Sequence, residues 1–432
     1  MYNVKRKIHR SYQKDSHGIF APRINYVDSV NSILFEVAAD IYADKCEFYR
    51  SIDNGITWNK SQESWNYNKH KVNGYGIVSE PPISIFVDPV ENVAFRMNVE
   101  RAVTSDDKAC SYCLPECKYA RQLISYSYDS GVSWTDPEPI IVEGDEYNSL
   151  HWMEGVELLS NSAIIDGTNI LKLSDGDILI GGKRHHLWPS GDVYNSCNHF
   201  HFDAFTLRGT WNESKTRLIW HTPSFVPHDY NYCQKGLCEV AMAEISQGNI
   251  AMVGRNQWPG NEDLPMMRML SVSNDGGKSW GNVKPLCYEN GDIVPSVASF
   301  SILVKSFINN KIYFIGNILP ELLYWRKLYS KKQADLIGLA ANPPQGLSDP
   351  RHTLHIAEFD CENMCIKRNT VTVIDSRWEG EPIGVRLSNF NVYQDRNTGS
   401  IVLHMTRNPG NVGWQSSDGI SCDIFCYEIE VN

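Results

Sequence analysis

SIDNGITW (Ser51–Trp58), SYDSGVSW (Ser127–Trp134) and SNDGGKSW (Ser273–Trp280) repeat one pattern, Ser-x-Asp-x-Gly-x-x-Trp, at three places in the chain. A run rich in β-branched or aromatic residues precedes each (CEFYR, QLISY and MRMLSV), so a strand leads into each turn. In such a turn Ser and Asp side chains bond backbone amides, and Gly supplies a positive φ. The Trp is expected to fold back on the sheet it has just left. Identical spacing in all three copies marks a repeat architecture.

A second repeat interleaves with the first. Six times a strand, a short turn and another aliphatic strand follow one another: RINYVDSVNSILFEVA from Arg23, ISIFVDPVENVAFRM from Ile83 and ILKLSDGDILIGG from Ile170, then EVAMAEISQGNIAMVG from Glu239, FSILVKSFINNKIYFIG from Phe300 and FNVYQDRNTGSIVLHM from Phe390. Each turn carries the Asn, Asp, Gly or Pro that hairpins require. Antiparallel units that cannot close alone close radially, which predicts an all-β fold, a six-bladed β-propeller of four-stranded antiparallel blades. No linker interrupts the pattern, so residues 1–432 read as one domain. LPELLYWRKLYSKKQADLIGLA (319–340) reads as a helical insertion, and the C-terminal DIFCYEIEV is expected to pair with the first blade and close the ring.

Composition narrows the partners. Of 432 residues, 40 are basic and 51 acidic, a net charge of −11 that disfavours nucleic acid and anionic membrane surfaces as partners. No run of 18 apolar residues occurs, and Met1 to Phe20 has no apolar centre. A cytoplasmic chain is expected, or a secreted or periplasmic one if a leader was removed. The 12 Trp and 21 Tyr suit sheet-rich scaffolds and carbohydrate clefts. The 12 Cys are expected to be free thiols; Cys110, Cys113 and Cys117 could hold a zinc with a fourth ligand, but their spacing matches no complete signature, and Cys361/Cys365 and Cys422/Cys426 are weaker pairs. No metal or cofactor is expected.

With these Asp-box (BNR) turns on a six-unit β pattern, the chain resembles the sialidase (neuraminidase) superfamily over nearly its whole length. The resemblance implies three arginines gripping a sugar carboxylate, since a planar guanidinium meets a carboxylate in bidentate fashion. Arg23 in FAPRIN matches the family's Arg-Ile-Pro except for Asn25. CEVAMAEISQGNIAMVGRN resembles the fourth-blade pattern and puts Glu239 and Arg255 at adjacent hairpin ends. Arg351 in SDPRHTLHIAEF fits the third arginine. The family's tyrosine nucleophile would fall near Leu387 to Phe390, where no Tyr stands; Tyr393 would face the other side of a strand, and Arg386 occupies a nearby position. The family's acid/base Asp falls at Asp40 or Asp44. In KRHHLWPSGDVYNSCNHFHFD, His185 lies just past an inner strand, Trp188 is a substrate-binding ring, and alternation puts His199 and His201 on one strand face. Tyr230 and Tyr232 precede Glu239 as further cavity residues.

Three functions compete on these residues. The first is a sialidase-like glycoside hydrolase releasing a terminal carboxylate-bearing sugar, with Glu239 as base or activator and Asp40 or Asp44 as acid. The second is a polysaccharide lyase in which an arginine neutralises a uronate and a His or Tyr removes its α-proton. The third is a non-catalytic propeller binding acidic glycans.

Overall fold

The computed structural model describes residues 2–12, 20–40, 46–63, 65, 69–72, 75–102, 120–156, 163–186, 195–196, 199–227, 229, 231–256, 264–319, 351–381, 385–407 and 423–431. Their strands form a ring of six antiparallel blades. From hub to rim, blade 1 comprises Phe20–Tyr26, Leu34–Asp40, Cys46–Ser51 and Asn59–Lys60. In blade 2, Tyr75–Ser79 and Ser84–Val87 share the inner position against Ala94–Ala102, followed by Ala120–Ser127 and Glu138–Pro139. Blade 3 has short inner segments at Ala163–Ile164 and Leu171–Lys172, then Ile178–His185, Phe202–Trp211 and Leu218–Trp220. Blade 4 is Leu237–Ser246, Asn249–Asn256, Arg268–Ser273 and Lys284–Pro285. Blade 5 is Ile302–Lys305, Ile312–Gly316 and Thr353–Asp360, with Cys365–Ile366 and Thr372–Ser376 outside. The six hairpins read from the sequence are the first two strands of the six blades. The predicted helical stretch, 319–340, lies outside the described residues beyond Leu319.

Ring closure differs from the expectation. Ile424–Glu430, within DIFCYEIEV, is the third strand of blade 6, beside Asn391–Gln394 and Ile401–Thr406. The N-terminal strand Asn3–Arg10 adds the fourth, paired from Asn3↔Glu430 to Arg10↔Ile424 with one register shift between Ile8 and Arg10. An outer strand has one free edge to fill, and the chain's start fills it, so blade 1 keeps its own four strands.

Apolar clusters fill the seams between neighbouring blades. Val37 and Phe48 meet Ile85 and Ala94; Met97 and Ile124 meet Ile178 and Phe205. Leu179 and Ala204 meet Val240 and Met269, Val253 and Leu270 meet Phe314 and Phe359, and Tyr313 and Ile356 meet Leu403 and Tyr427. Strand alternation explains this: the two sides of an inner strand face two different neighbours, so both are apolar. At Gly181 the approach is too close for a side chain, since a Cβ there would lie 2.3 Å from Val240 Cγ2 across the seam of blades 3 and 4.

The Ser-x-Asp-x-Gly-x-x-Trp turns share one hydrogen-bond set. In the third, Ser273 Oγ donates to Asp275 Oδ1 (2.7 Å) and accepts from Gly277 N (2.8 Å), while Asp275 accepts from Ser279 N (2.9 Å) and Ser279 Oγ (2.6 Å). The turns at Asp53 and Asp129 repeat those bonds. Their tryptophans correct the expectation of packing back on the same sheet, because each reaches the preceding blade. Trp280 Nε1 donates to Thr206 Oγ1 of blade 3 (3.0 Å), Trp134 packs 5.4 Å from Phe35 of blade 1, and Trp58 packs 5.3 Å from His9 of blade 6. The seam is where apolar surface from two sheets is available to an indole. Arginines of the preceding blade seal two of the contacts, Arg50 on the Ser130 carbonyl and Arg208 on the Gly276 carbonyl. Asp275→Ala should therefore lower the unfolding free energy by about 1 kcal/mol, the scale of hydrogen bonds lost from an exposed turn carboxylate, measured as an earlier urea midpoint with an unchanged slope.

Candidate active site

Antiparallel alternation sorts the connections onto two faces. Turns joining strands 1–2 and 3–4 of a blade leave one face; connections 2–3 and the passages to the next blade leave the other, called the mouth here. Glu239 opens its inner strand at the mouth, and Arg255 ends the second strand there. The register changes between Cys238↔Arg255 and Ala241↔Val253, so the inner strand carries one extra residue, a β-bulge. Glu239 sits in that bulge with φ +47°, a left-handed conformation that costs a non-glycine residue about 1–3 kcal/mol. What the strain achieves is orientation: both Glu239 oxygens lie 2.8 Å from Arg255 Nη1.

Around this pair stand residues of three blades. Asp166, on the passage through the inner edge of blade 3, accepts the bulge amide Glu239 N at 3.2 Å through Oδ2. Lys183, near the end of the second strand of blade 3, lies 3.3 Å from the same Asp166 oxygen. Arg268 is directly opposite Arg255 across strands two and three of blade 4 and is 1% exposed. Its Nη2 donates to Ser299 Oγ (2.9 Å) and the Phe300 carbonyl (3.3 Å). Arg351, just before the third strand of blade 5, donates to the neighbouring Ala298 carbonyl (2.7 Å) and to Ser388 Oγ (3.2 Å). One short stretch leading into blade 5 thus seats both guanidiniums.

Electrostatics ties these groups together. Burial pushes the Glu239 carboxyl up, but Arg255, Lys183 and Arg351 outweigh it and hold the group below its ordinary value. Asp166 moves the other way: burial dominates, the Glu239 charge adds to it, and Lys183 opposes without winning. Two neighbouring carboxyls are thereby pushed in opposite directions. Arg268 is lowered to about 9, by burial first and also by Arg255 and Arg351, with Glu239 opposing. Two unit charges some 5 Å apart repel by about 3 kcal/mol at an effective dielectric near 20. Arg255 on Glu239, with Arg268 and Arg351 within electrostatic reach, therefore makes a site that an added anion stabilises. Burial pushes the Cys238 thiol up to about 12, so it is an inert neighbour.

The predicted residues are placed as follows. Glu239, Arg255 and Arg351 converge. Arg23 is on the inner strand of blade 1, and its described bonds run to the Ile83 carbonyl (3.0 Å) and the Pro22 carbonyl (3.3 Å), at the seam with blade 2. Asp40 ends the second strand of blade 1, opposite Phe20. His185 ends the second strand of blade 3, is 2% exposed and packs 5.6 Å from the Phe202 ring, on the same strand face as Lys183. Arg386 precedes Leu387, whose amide donates to the Arg351 carbonyl (2.8 Å). Asp44, Trp188 and Tyr230 lie outside the described residues, as do Cys110, Cys113 and Cys117. The expected single strand through His199 and His201 is divided, because His199–Phe200 pairs with Asn195–Ser196, whereas Phe202–Trp211 belongs to blade 3. Leu387 is fully buried in the seam of blades 5 and 6, and Tyr393 stacks on His404 (5.8 Å) between blades 6 and 1. Seven cysteines among the described residues are free thiols.

Asp166, Lys183 and Arg268 escaped the sequence reading. Lys183 was within reach, two positions before His185 at a second-strand end. Arg268 is hidden in the apolar run MMRML, and only strand register sets it against Arg255.

No protein-family model matches the chain, and no curated protein matches it. Solved structures do. The NanB sialidase from Streptococcus pneumoniae aligns with a TM-score of 0.55 at 11% identity, over 99% of this chain and 70% of that one. The leech intramolecular trans-sialidase aligns at 0.54 with 10% identity, again over 99% and 70%. The chain shares the six-bladed β-propeller of these sialidases, and at such identities the likeness is one of fold.

A lowered carboxyl contributes stability that is complete above its unfolded pKa and is lost as pH falls through the folded one. The melting-temperature difference between wild type and Glu239→Gln should thus be constant at neutral pH and disappear only below the ordinary glutamate range. Arg268→Met, which removes a buried cation repelled by two others, should leave the ligand-free melting temperature unchanged or raised.

Proposed function

We propose that this protein is an exo-acting glycoside hydrolase that releases a terminal carboxylate-bearing sugar, such as sialic acid, from glycans. The observation carrying this reading is the convergence of Arg255, Arg268 and Arg351 on one face of a propeller, around a carboxylate held ionised. A sugar carboxylate entering there replaces lost hydration with guanidinium hydrogen bonds and relieves cation–cation repulsion. The fold shared with a leech enzyme solved with 2,7-anhydro-Neu5Ac supports the substrate class.

Chemistry then follows from protonation states. Glu239, ionised at neutral pH, takes a proton from the attacking group. With no tyrosine from Leu387 to Phe390, where the family's nucleophile would fall, that group is water. The leaving oxygen receives its proton from Asp40 or Asp44, the acid that the family resemblance implies. Asp166 is a positioning residue: it holds the bulge amide of Glu239.

A second reading follows from the same missing tyrosine. With no phenol present, elimination from a uronate would use the arginines against the carboxylate and His185 as base. A fluorogenic sialoside distinguishes the two. Hydrolysis should be detectable with wild type and fall at least about a hundredfold in Glu239→Gln, the scale of a lost general base. Arg351→Ala should act mainly through KM. Release absent from the sialoside, with ultraviolet absorbance of a new conjugated double bond appearing on a polyuronate, would replace hydrolysis by elimination. N-acetylneuraminic acid at 100 times its Kd should stabilise the wild type by about 2.7 kcal/mol, and Arg255→Ala should abolish that shift.

A further inference from the structure

A second cleft opens away from the mouth cluster, on the outer part of the seam between blades 1 and 2. Its volume is about 710 Å³, within the range of roughly 300–1,000 Å³ over which small-molecule sites fall. Trp65 and Trp134 stand in its wall, with Arg96, Glu63, Gln62 and Asp136. None of these residues belongs to the group around Glu239.

The two indoles are fixed before any ligand arrives. Trp65 Nε1 donates to the Ser79 carbonyl (3.1 Å). Trp134 is held by the Arg96 guanidinium, 4.4 Å from its ring, and by the edge of Phe35. Arg96 itself is 5% exposed and pairs through Nη2 with Glu63. Its Nε and Nη1 have no hydrogen-bond acceptor among the described residues, and neither has Trp134 Nε1. Buried donors of this kind are rare in folded proteins, each costing about 1–3 kcal/mol when unmet. Here three of them are gathered at one cleft.

The charges decide what fits. Glu63 and Asp136 repel an anion, and buried Arg96 repels a cation. What remains is a neutral molecule with an apolar face for the indoles and with hydroxyls that accept from Arg96 and Trp134 and donate to the carboxylates. We infer that the seam of blades 1 and 2 is a second ligand site, binding a neutral saccharide ring through Trp65, Trp134 and Arg96. The inference is independent of the chemistry at the mouth.

The test titrates the full chain with lactose, maltose and cellobiose, following tryptophan fluorescence and heat of binding. At least one should bind saturably with one site. Gln62 is exposed at the cleft, so Gln62→Trp should fill the space and weaken binding at least about tenfold, a change of roughly 1.4 kcal/mol, with no loss of melting temperature. Trp65→Ala should weaken it similarly, and Trp65→Phe, which keeps a stacking face, should retain most of it. Arg255→Ala should leave it intact. Saturable binding of none of the three sugars overturns the proposal. So does binding that survives Gln62→Trp and Trp65→Ala, or that disappears with Arg255→Ala, which would assign it to the mouth.

Discussion

A blade of this propeller has two apolar sides and can cover neither by itself. That constraint explains much of the architecture. Apolar clusters lie between sheets, with aliphatic and aromatic residues of one blade facing those of the next. It also explains why the tryptophans of the repeated turns leave their own sheet. A seam offers an indole two walls, and the hydroxyl of Thr206 shows that even the ring nitrogen of Trp280 is met from across it. Stability is thus cooperative around the ring, since each blade is both the lid and the floor of a neighbour.

The same geometry sets the chemistry of the mouth. Strand ends from blades 3, 4 and 5 arrive side by side, and a single extra residue in one inner strand turns Glu239 toward Arg255. Opposed arginines are unfavourable between strands in the absence of an anion. Their juxtaposition at Arg255 and Arg268 is tolerable because Glu239 offsets part of the repulsion and Ser299 and Phe300 occupy one arm of Arg268. The strained backbone at Glu239 and the crowded cations are features that stability alone would not favour.

What the chain disclosed in one dimension was local. Hairpins and turns are written in neighbouring residues: alternation, then Asn, Asp or Gly, then alternation again. Glu239 and Arg255 were legible because they flank one hairpin, and Arg351 through the resemblance to a family pattern. Arg268 was not, because its meaning depends on a register that no local pattern specifies. Asp166 was hidden for another reason, since it meets the Glu239 amide through a contact between blades. The direction of closure was misread because Asn3 and Glu430 pair across 427 positions, and nothing near either residue names its partner.

That closing pair has a consequence for biogenesis. A ribosome releases the segment Asn3–Arg10 well before Ile424–Glu430, the strand that supplies its hydrogen-bonding edge. Until then the early segment has no native mate, and the sixth sheet lacks its border. Sealing this sheet demands closing a loop whose ends, Asn3 and Glu430, lie 427 positions apart, an entropic hurdle that slows the step. During that interval the unpaired edge needs protection from stray partners, and the segment's own charged side chains, Lys5, Arg6, Lys7 and Arg10, are of the kind that discourages edge-to-edge association.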